Sequence, residues 1–473
     1  MNAITIHQAK TWQIGLFALN GTAVNIYFMM MTYMSFYAAG VLGLGVALVS
    51  FLLAALNIFD GITDPIIGFI IDKTSGKFGK YRPFMLIGNV IMALNLIFLY
   101  SIRHTGALIL PLLIVCFIIY DIGYTLQFNV TRAAQTVLTN DPKQRPLIAA
   151  FSMIYNIMLY VGVAMLVSNF LIIQHGDFNA SMFRDFFMMT AIASAICTIL
   201  AIIGIAAKDR KEYYGDSTNV EKIRLIDCIN VLRKNRNVLM LIIAAATDRL
   251  FSHITTNAVV IVMIFGIISG DYALYGQMNM FVFAPSAIVS LLIIYYARKR
   301  GQKAALLLAT KGAMIANTII FTSFLFGDPT TLSFSALSTF TVMFFIGLAF
   351  RGGFMSIGGG IIVPMIADCA DYEVYRTGKH IPGMISGLFT FADKVFGSLN
   401  ALIVGMLVVA AGYGDMFPTP ATESSSAIFT IAMICYCALP MIGWIINLVV
   451  LRYYNLTPDK MKEIRENVSA NKT

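Results

Sequence analysis

Charged residues are scarce in this chain of 473 residues, because Asp, Glu, Lys and Arg together make up only 12% of it. A soluble globular domain carries about 25% charged residues, whereas 58% of this chain is hydrophobic. Long polar segments are scarce too, since residues 208–237 form the single long hydrophilic stretch inside the chain. The composition excludes an ordinary soluble protein. It also argues against a membrane sensor, which usually carries a soluble signalling domain.

Residue sets typical of enzymes are missing as well. The six cysteines show neither metal-ligand nor redox spacing, and His253 is the single histidine of five inside an apolar run. No nucleophile is paired with a general base in a recognisable motif. We therefore expect neither an enzyme nor a resident metal or organic cofactor.

The chain contains a series of twelve long apolar runs instead. Each run holds 18 or more residues, which is enough for one helix to cross a hydrocarbon core of about 30 Å. The sequence therefore predicts an all-α polytopic membrane protein with twelve transmembrane helices. The predicted spans are residues 13–39, 44–71, 84–102, 106–130, 147–173, 185–207, 237–269, 272–297, 304–326, 332–366, 382–412 and 426–451.

Basic residues predict the orientation of these spans. The even-numbered connectors carry most of the Lys and Arg residues, including eight in residues 208–236, while the odd-numbered connectors hold only Arg103 and Arg184. Because positive loops stay in the cytoplasm, we expect both termini there and the protein in the cell's inner (plasma) membrane. The net charge of +9 fits contact with anionic membrane lipid better than binding of nucleic acid.

The twelve spans fall into two groups of six. Residues 1–207 and 237–452 hold one group each, with a cytoplasmic linker at 208–236 and a cytoplasmic tail at 453–473. A basic, glycine-containing loop follows the second span ("GFIIDKTSGKFGK") and again the eighth ("YYARKRGQK"). Such a repeat predicts two pseudo-symmetric six-helix bundles.

Asp60 and Asp64 are the most unusual charges in the spans. They lie four residues apart in the apolar second span, so both side chains leave the same face of one helix. Two like charges repel there, and an ionised group inside a membrane is costly. No Lys or Arg lies within one helical turn of either aspartate in the sequence. An oxygen-rich cage for a small hard cation, or a proton shared by the two carboxylates, would offset the cost.

Other charges inside the spans allow two interpretations. The adjacent pairs Asp248–Arg249 and Asp393–Lys394, in the seventh and eleventh spans, either face a water-filled cavity or form ion pairs between helices. Arg351 in the tenth span is a further candidate to face a cavity.

Charges of opposite sign at two predicted cytoplasmic ends indicate a gate. One group follows the second span and the other lies at the end of the tenth span, in the other half. The gate residues are Asp72, Lys73, Lys77, Lys80 and Arg82 in the first group and Asp368, Asp371 and Glu373 in the second. We expect a latch that holds an outward-open state. The alternative is that the basic loop only follows the positive-inside rule.

Two segments carry a resemblance to a known family. "FDGITDPIIGFIIDKTSGKFGKYRP" and "ADCADYEVYRTGKHIPGMISGLFTFADKVFG" resemble the two signature regions of the glycoside–pentoside–hexuronide:cation symporters, which are melibiose-permease-like members of the major facilitator superfamily. The resemblance runs essentially from end to end. It implies the twelve-helix facilitator fold and sugar uptake driven by a Na⁺, Li⁺ or H⁺ gradient.

The resemblance also implies a cation site on the second and fourth spans. Asp60 and Asp64 match the family's two carboxylates, and Thr125 matches its threonine on the fourth span. Thr63 stands where melibiose permease has an asparagine and keeps an oxygen ligand. These four residues are expected to close around Na⁺, and the coupling cation is expected to be Na⁺ or H⁺.

The implied sugar site departs from the family pattern. The family uses an aspartate on the first span and another on the fourth to accept hydrogen bonds from sugar hydroxyls. Asn20 stands at the first position, and Phe128, or Asn129 after a shift of one residue, stands at the second. Asp121 lies two helical turns before Phe128 and is expected to replace the missing acid.

Two further positions change the charge of this predicted pocket, and a third keeps it. Arg132 stands at a tryptophan position of the family, Met153 at an arginine position, and Lys394 matches the family's lysine on the eleventh span. Because both aspartates of the family are replaced, the pocket is less acidic than the family's, so both neutral and acidic glycosides remain possible substrates.

The sequence as a whole predicts a monomeric symporter that takes up a sugar or glycoside together with a cation by alternating access. The alternative is a carrier of another organic solute, acidic or amphiphilic, on the same fold.

Overall fold

A computed structural model describes residues 7–74, 76, 78–101, 106, 108–139, 141, 144–210, 212, 234–356, 358–377 and 382–470. Within these ranges the regular structure is helical, with one isolated bridge between Gly76 and Gly79. Helices suit the predicted setting, because every backbone polar group inside a bilayer must be satisfied within the chain.

Each of the twelve predicted spans overlaps a helix or a pair of helical segments. The helices are α1 (Thr11–Met31), α2 (Val46–Lys73), α3 (Arg82–Ser101), α4 (Ile109–Ala133), α5 (Arg145–Met165), α6 (Ala180–Ile205), α7 (Arg236–Thr255), α8 (Ala273–Arg300), α9 (Gln302–Phe326), α10 (Thr339–Met355 and Gly358–Thr377), α11 (Pro382–Ala410) and α12 (Ser426–Met433 and Leu439–Arg452). Among the described residues, 10 helices are long and apolar enough to cross a membrane, and three shorter apolar helices lie in α2, directly after α7 and in α10.

The tenth helix departs most from its predicted bounds of 332–366. It begins at Thr339, where the Ser338 side chain accepts a hydrogen bond from the backbone N–H of Thr341. It continues past the apolar run to Thr377. The predicted span stopped at 366 because Asp368 ends the apolar run, although a charged residue does not end a helix.

The chain divides into two compact units. Unit 1 comprises Met1–Val220 and Tyr413–Phe417, and unit 2 comprises Glu221–Gly412 and Pro418–Thr473. One buried core of unit 1 joins residues of α1 to α6, and one buried core of unit 2 includes residues of α7 to α12. The linker's residues 213–233 lie outside the described residues.

Backbone geometry repeats at equivalent points of the two groups of helices. Glycines in the left-handed region follow α1 and α7 (Gly43, φ 71°; Gly270, φ 77°), α2 and α8 (Gly79, φ 95°; Gly301, φ 86°), and α5 and α11 (Gly176, φ 81°; Gly412, φ 94°). Side-chain-bearing residues rarely adopt this conformation. The first helix of each group also continues into a π-helical turn, at Tyr37–Val41 and Val262–Ile268. These matches support an internal repeat of six helices.

The segment after α12 packs against unit 2. A thirteenth helix, α13 (Pro458–Ala470), follows it. Tyr454, Leu456, Met461 and Ile464 are all buried in the core of unit 2, so the first part of the predicted tail is part of the bundle's packing.

Candidate cation site

The predicted cation site lies where α2 and α4 pack together. Both helices are in unit 1, and hydrogen bonds join three successive turns of α4 to about one turn of α2. On α2 the polar residues are Asp60, Thr63 and Asp64, and on α4 they are Asp121, Thr125 and Asn129. The four-residue spacing on α4 puts its three polar side chains in one row facing α2.

The middle contact is the one that the resemblance predicted. The Thr125 hydroxyl donates a hydrogen bond to Oδ1 of Asp60 at 3.0 Å. Thr125 is fully buried, whereas Asp60 is half-buried. The structure therefore brings together the carboxylate and the hydroxyl that were expected to share a cation.

The outer two contacts extend the row by one turn on each side. The Thr63 hydroxyl donates a hydrogen bond to Oδ2 of Asp121 at 3.0 Å and lies 3.1 Å from the backbone carbonyl of Asp60. The Asn129 amide donates a hydrogen bond to the backbone carbonyl of Asp64 at 3.2 Å. Asp121 and Asn129, which the sequence assigned to the sugar pocket, thus contact the predicted cation ligands.

The donor set suits a small monovalent cation. Carboxylate and hydroxyl oxygens are the hard ligands that such ions prefer. Among the described residues, no three side chains of His, Cys, Asp or Glu lie close enough together to hold a metal ion by themselves. A cation at this site would therefore need the hydroxyls of Thr63 and Thr125 as well as the carboxylates.

Asn20 lies in a buried network inside unit 1. Its amide donates hydrogen bonds to the backbone carbonyl of Gln127 at 3.1 Å and to the Thr131 hydroxyl at 2.8 Å, and its oxygen accepts one from the Gln127 amide at 3.0 Å. Gln127 also donates to Thr198 of α6. Asn20 is 0% exposed and ties α1 to α4, while its contact with a substrate stays a prediction.

Aromatic rings form a ladder along α4. Tyr120, Tyr124 and Phe128 stack at centroid distances of 6.2 and 5.4 Å, and the Arg132 guanidinium lies 4.7 Å from the Phe128 centroid. Arg132 is exposed, so its charge is accessible from outside the helix packing. Phe128 and Arg132 were predicted site residues, whereas the ladder was not predicted, although the four-residue spacing of the rings indicates it.

Two of the charged residues in the spans of unit 2 form an ion pair. Nε of Arg249 on α7 lies 3.3 Å from Oδ1 of Asp393 on α11, with both side chains about half exposed, so one of the two expected interpretations, an ion pair between helices, is met. Lys394 follows Asp393 on α11 and is half-buried. Its contact with a substrate stays a prediction.

Arg351 does not face a cavity, contrary to expectation. It is buried, donates hydrogen bonds to Asn317 and to the backbone carbonyl of Tyr436, and lies 4.0 Å from the Tyr436 ring centroid. The π-helical turn at Ile434–Ala438 in α12 presents that carbonyl and that ring. Arg351 therefore joins α9, α10 and α12.

Two predicted gate residues of unit 1, Lys80 and Arg82, contact Asp209 of the predicted linker. The Asp209 carboxylate accepts hydrogen bonds from the backbone N–H groups of Lys80, Tyr81 and Arg82, and Nε of Arg82 lies 3.4 Å from it. Asp209 therefore satisfies the N-terminus of α3. Lys77 lies outside the described residues, as do the side chains of Asp72 and Lys73.

The acidic gate residues lie on α10 in unit 2. Glu373 is buried, pairs with Arg376 at 2.8 Å and accepts a hydrogen bond from Asn235 at 2.7 Å. Asp368 lines a cavity of about 210 Å³ together with Lys303 and Tyr454, and Asp371 is half-buried. The latch itself stays a prediction.

The comparison with protein families decides the class. Residues 16–458 match the family model described as MFS/sugar transport protein. The chain belongs to this family. Major facilitator sugar transport proteins are multi-pass membrane transporters, so the predicted family is confirmed, and the protein is a transporter and not an enzyme.

Two curated relatives of this major facilitator chain are named after a transported compound. It is 22% identical to the isoprimeverose transporter of Lactiplantibacillus pentosus, over 93% of this chain and 88% of that protein. It is 23% identical to the glucuronide carrier protein homolog of Escherichia coli (strain K12), over 97% and 96%.

Solved structures support the fold. The nucleoside transporter NupG has a TM-score of 0.61 at 14% identity, covering 94% of this chain and 100% of that one. The E. coli fucose:proton symporter has a TM-score of 0.53 at 13% identity, covering 94% and 98%. The predicted all-α facilitator fold is confirmed.

Proposed function

We propose that this major facilitator chain is a symporter that couples uptake of a glycoside to inward flow of Na⁺ or H⁺ by alternating access. Its cation site consists of Asp60, Thr63, Asp64 and Thr125. It works in the inner membrane with both termini in the cytoplasm, as the distribution of basic residues indicates.

The observation that carries this proposal is the hydrogen bond from Thr125 to the Asp60 carboxylate. It joins α2 and α4 at one of two acidic residues that lie four positions apart inside an apolar helix. Two carboxylates at this spacing repel, and the surrounding medium screens them less than water does. A bound cation removes much of that repulsion, so the site favours its ion-loaded state.

The substrate class rests on the family and on the relatives' names. The family is one of sugar transport proteins, and the relatives include carriers named for isoprimeverose and for a glucuronide. In the ring ladder Tyr120–Tyr124–Phe128 of α4, the partly exposed rings of Tyr124 and Phe128 offer apolar surface against which a sugar ring can pack.

Coupling follows from the shared helix. α4 carries the cation residue Thr125 on one side of the ladder and Arg132 at its end. Cation binding that fixes α4 against α2 also fixes the ladder, so it raises the affinity for substrate. Linkage requires that substrate raise the affinity for the cation by the same factor. The doubly loaded carrier then changes its access from one side of the membrane to the other.

Reconstituted protein tests the proposal. Proteoliposomes are assayed for uptake of a panel of labelled neutral glycosides and glucuronides, with an inward Na⁺ gradient, an inward proton gradient, or neither. We expect at least one compound to accumulate only when a gradient is present. Accumulation that is independent of both gradients would contradict symport.

A carrier of another organic solute is the second candidate. The observation that favours it is the exposed Arg132 over Phe128, since the resemblance places a tryptophan of the family at the position of Arg132. A guanidinium above an aromatic ring can bind the carboxylate of a non-sugar acid as well as that of a glycoside. Uptake of aromatic carboxylates that no glycoside inhibits would favour this candidate.

A further inference from the structure

Asp121 contacts one of the predicted cation ligands. The sequence suggested that it replaces a missing acid of the sugar pocket, yet its carboxylate accepts a hydrogen bond from the Thr63 hydroxyl at 3.0 Å. Asp121 is 8% exposed and Thr63 is 9% exposed, so this contact lies inside the packing of α2 and α4.

The hydroxyl of Thr63 differs from the ligand that it replaces. An asparagine, which melibiose permease has here, offers an amide oxygen that carries no hydrogen, whereas a hydroxyl has one hydrogen and two lone pairs. A cation needs the lone pairs and is repelled by the hydrogen. Thr63 can serve as a cation ligand only if its hydrogen points away from the cation, toward another hydrogen-bond acceptor.

Two acceptors lie within reach of that hydrogen. One is Oδ2 of Asp121 at 3.0 Å, and the other is the backbone carbonyl of Asp60 at 3.1 Å. A carboxylate is a stronger acceptor than a neutral carbonyl, so Asp121 fixes the hydroxyl in one orientation. The lone pairs of Thr63 are then left for a cation.

We propose that Asp121 is a positioning residue of the cation site, which orients the Thr63 hydroxyl and thereby determines the affinity for Na⁺. This inference rests on the proposed function. It assigns Asp121 to the cation and not to the sugar, and it explains why a threonine at position 63 is accompanied by a carboxylate on the facing helix.

The test is a Na⁺ titration of the purified full-length protein, read as the shift of its thermal unfolding midpoint at constant ionic strength with choline as the replacement ion. We expect Asp121→Asn to weaken the apparent Na⁺ affinity about tenfold, because the amide cannot accept the hydrogen as strongly and donates its own N–H to Thr63. Asp121→Ser, which also removes the carboxylate, is the second variant if the first does not fold.

A double-mutant cycle shows whether Asp121 acts through Thr63. In a Thr63→Val background, Asp121→Asn is expected to change the Na⁺ affinity less than twofold. If the effects of the two substitutions on the free energy of Na⁺ binding simply add, the inference is wrong.

Asn89→Ala is the matched control. It breaks a buried hydrogen bond of 2.7 Å between Asn89 on α3 and Ser194 on α6 in the same unit. We expect it to lower the unfolding midpoint without changing the Na⁺ affinity. If Asp121→Asn behaves in the same way, its role is only structural and the inference is wrong. A wild type that shows no response to Na⁺ also overturns the inference, while proton-driven accumulation by that wild type would leave the proposed function standing.

Discussion

The hydroxyl of Thr125 on α4 donates a hydrogen bond of 3.0 Å to the carboxylate of Asp60 on α2. Because Thr125 is fully buried, this bond ties the half-buried side chain of Asp60 to α4. Thr125→Val keeps the shape and removes the oxygen. We expect about a tenfold loss in apparent Na⁺ affinity, measured as the Na⁺ dependence of uptake in proteoliposomes. Thr125→Ser, which retains the hydroxyl, should stay near wild type; equal losses in both variants would argue against an oxygen ligand.

Arg132 tests the charge of the substrate. Its guanidinium is exposed and lies over the Phe128 ring, where it can bind a carboxylate in bidentate fashion. If the substrate is a hexuronide, glucuronides should compete for uptake better than matched glucosides. Arg132→Gln should then weaken the competition by glucuronides about tenfold or more and leave that by glucosides unchanged. The control Arg132→Lys keeps the charge but not the bidentate geometry. Competition by neutral glycosides alone, with Arg132→Gln unaffected, would show that the substrate is neutral.

Asp371 tests the predicted cytoplasmic latch. Charge reversal in Asp371→Lys should weaken attraction to the basic loop after α2 and favour the inward-open state. The measurement is the labelling rate of a cysteine at Ser386, an exposed position near the start of α11, after removal of the native cysteines. We expect faster labelling. The control Glu463→Lys reverses an exposed charge on α13; if both variants label at the wild-type rate, the basic loop serves only the orientation in the membrane.

The contacts of Asp209 predict that this residue stabilises the fold. Its carboxylate is almost fully buried and accepts three backbone N–H groups at the start of α3. Asp209→Ala leaves these donors without their acceptor, which costs about 1–3 kcal/mol for a buried group. We expect a lower unfolding midpoint in detergent. Glu212→Gln, an exposed change three residues along the chain, should have no effect, and an unchanged midpoint for Asp209→Ala would contradict the capping role.

The sequence was sufficient for features that depend on local spacing. Apolar runs located all twelve spans, and the four-residue interval of Asp60 and Asp64 identified the acidic face of α2. It was insufficient where the register between two helices determines which side chains are in contact. Asp121 and Phe128 lie two turns apart on α4, which suggested a shared role, yet only the packing of α2 against α4 shows that Asp121 contacts Thr63.

Long-range polar contacts were hidden for the same reason. Arg351 was expected at a cavity because a charge in a span usually marks one, but a π-helical turn in α12 exposes a carbonyl that accepts its hydrogen bond. Asp209 looked like the start of a linker, and nothing near it in the sequence indicates that it holds the start of α3.

The most direct test of the central claim is gradient-driven accumulation by Asp60→Asn and Asp64→Asn. An amide keeps the shape of the side chain but loses the negative charge that a cation requires. Proteoliposomes containing each variant are assayed for accumulation of a transported glycoside under an inward Na⁺ or proton gradient, and for exchange of labelled against unlabelled glycoside without a gradient. The account predicts that accumulation is lost in both variants while expression and some exchange remain. Full accumulation by both variants would contradict a cation site at Asp60 and Asp64.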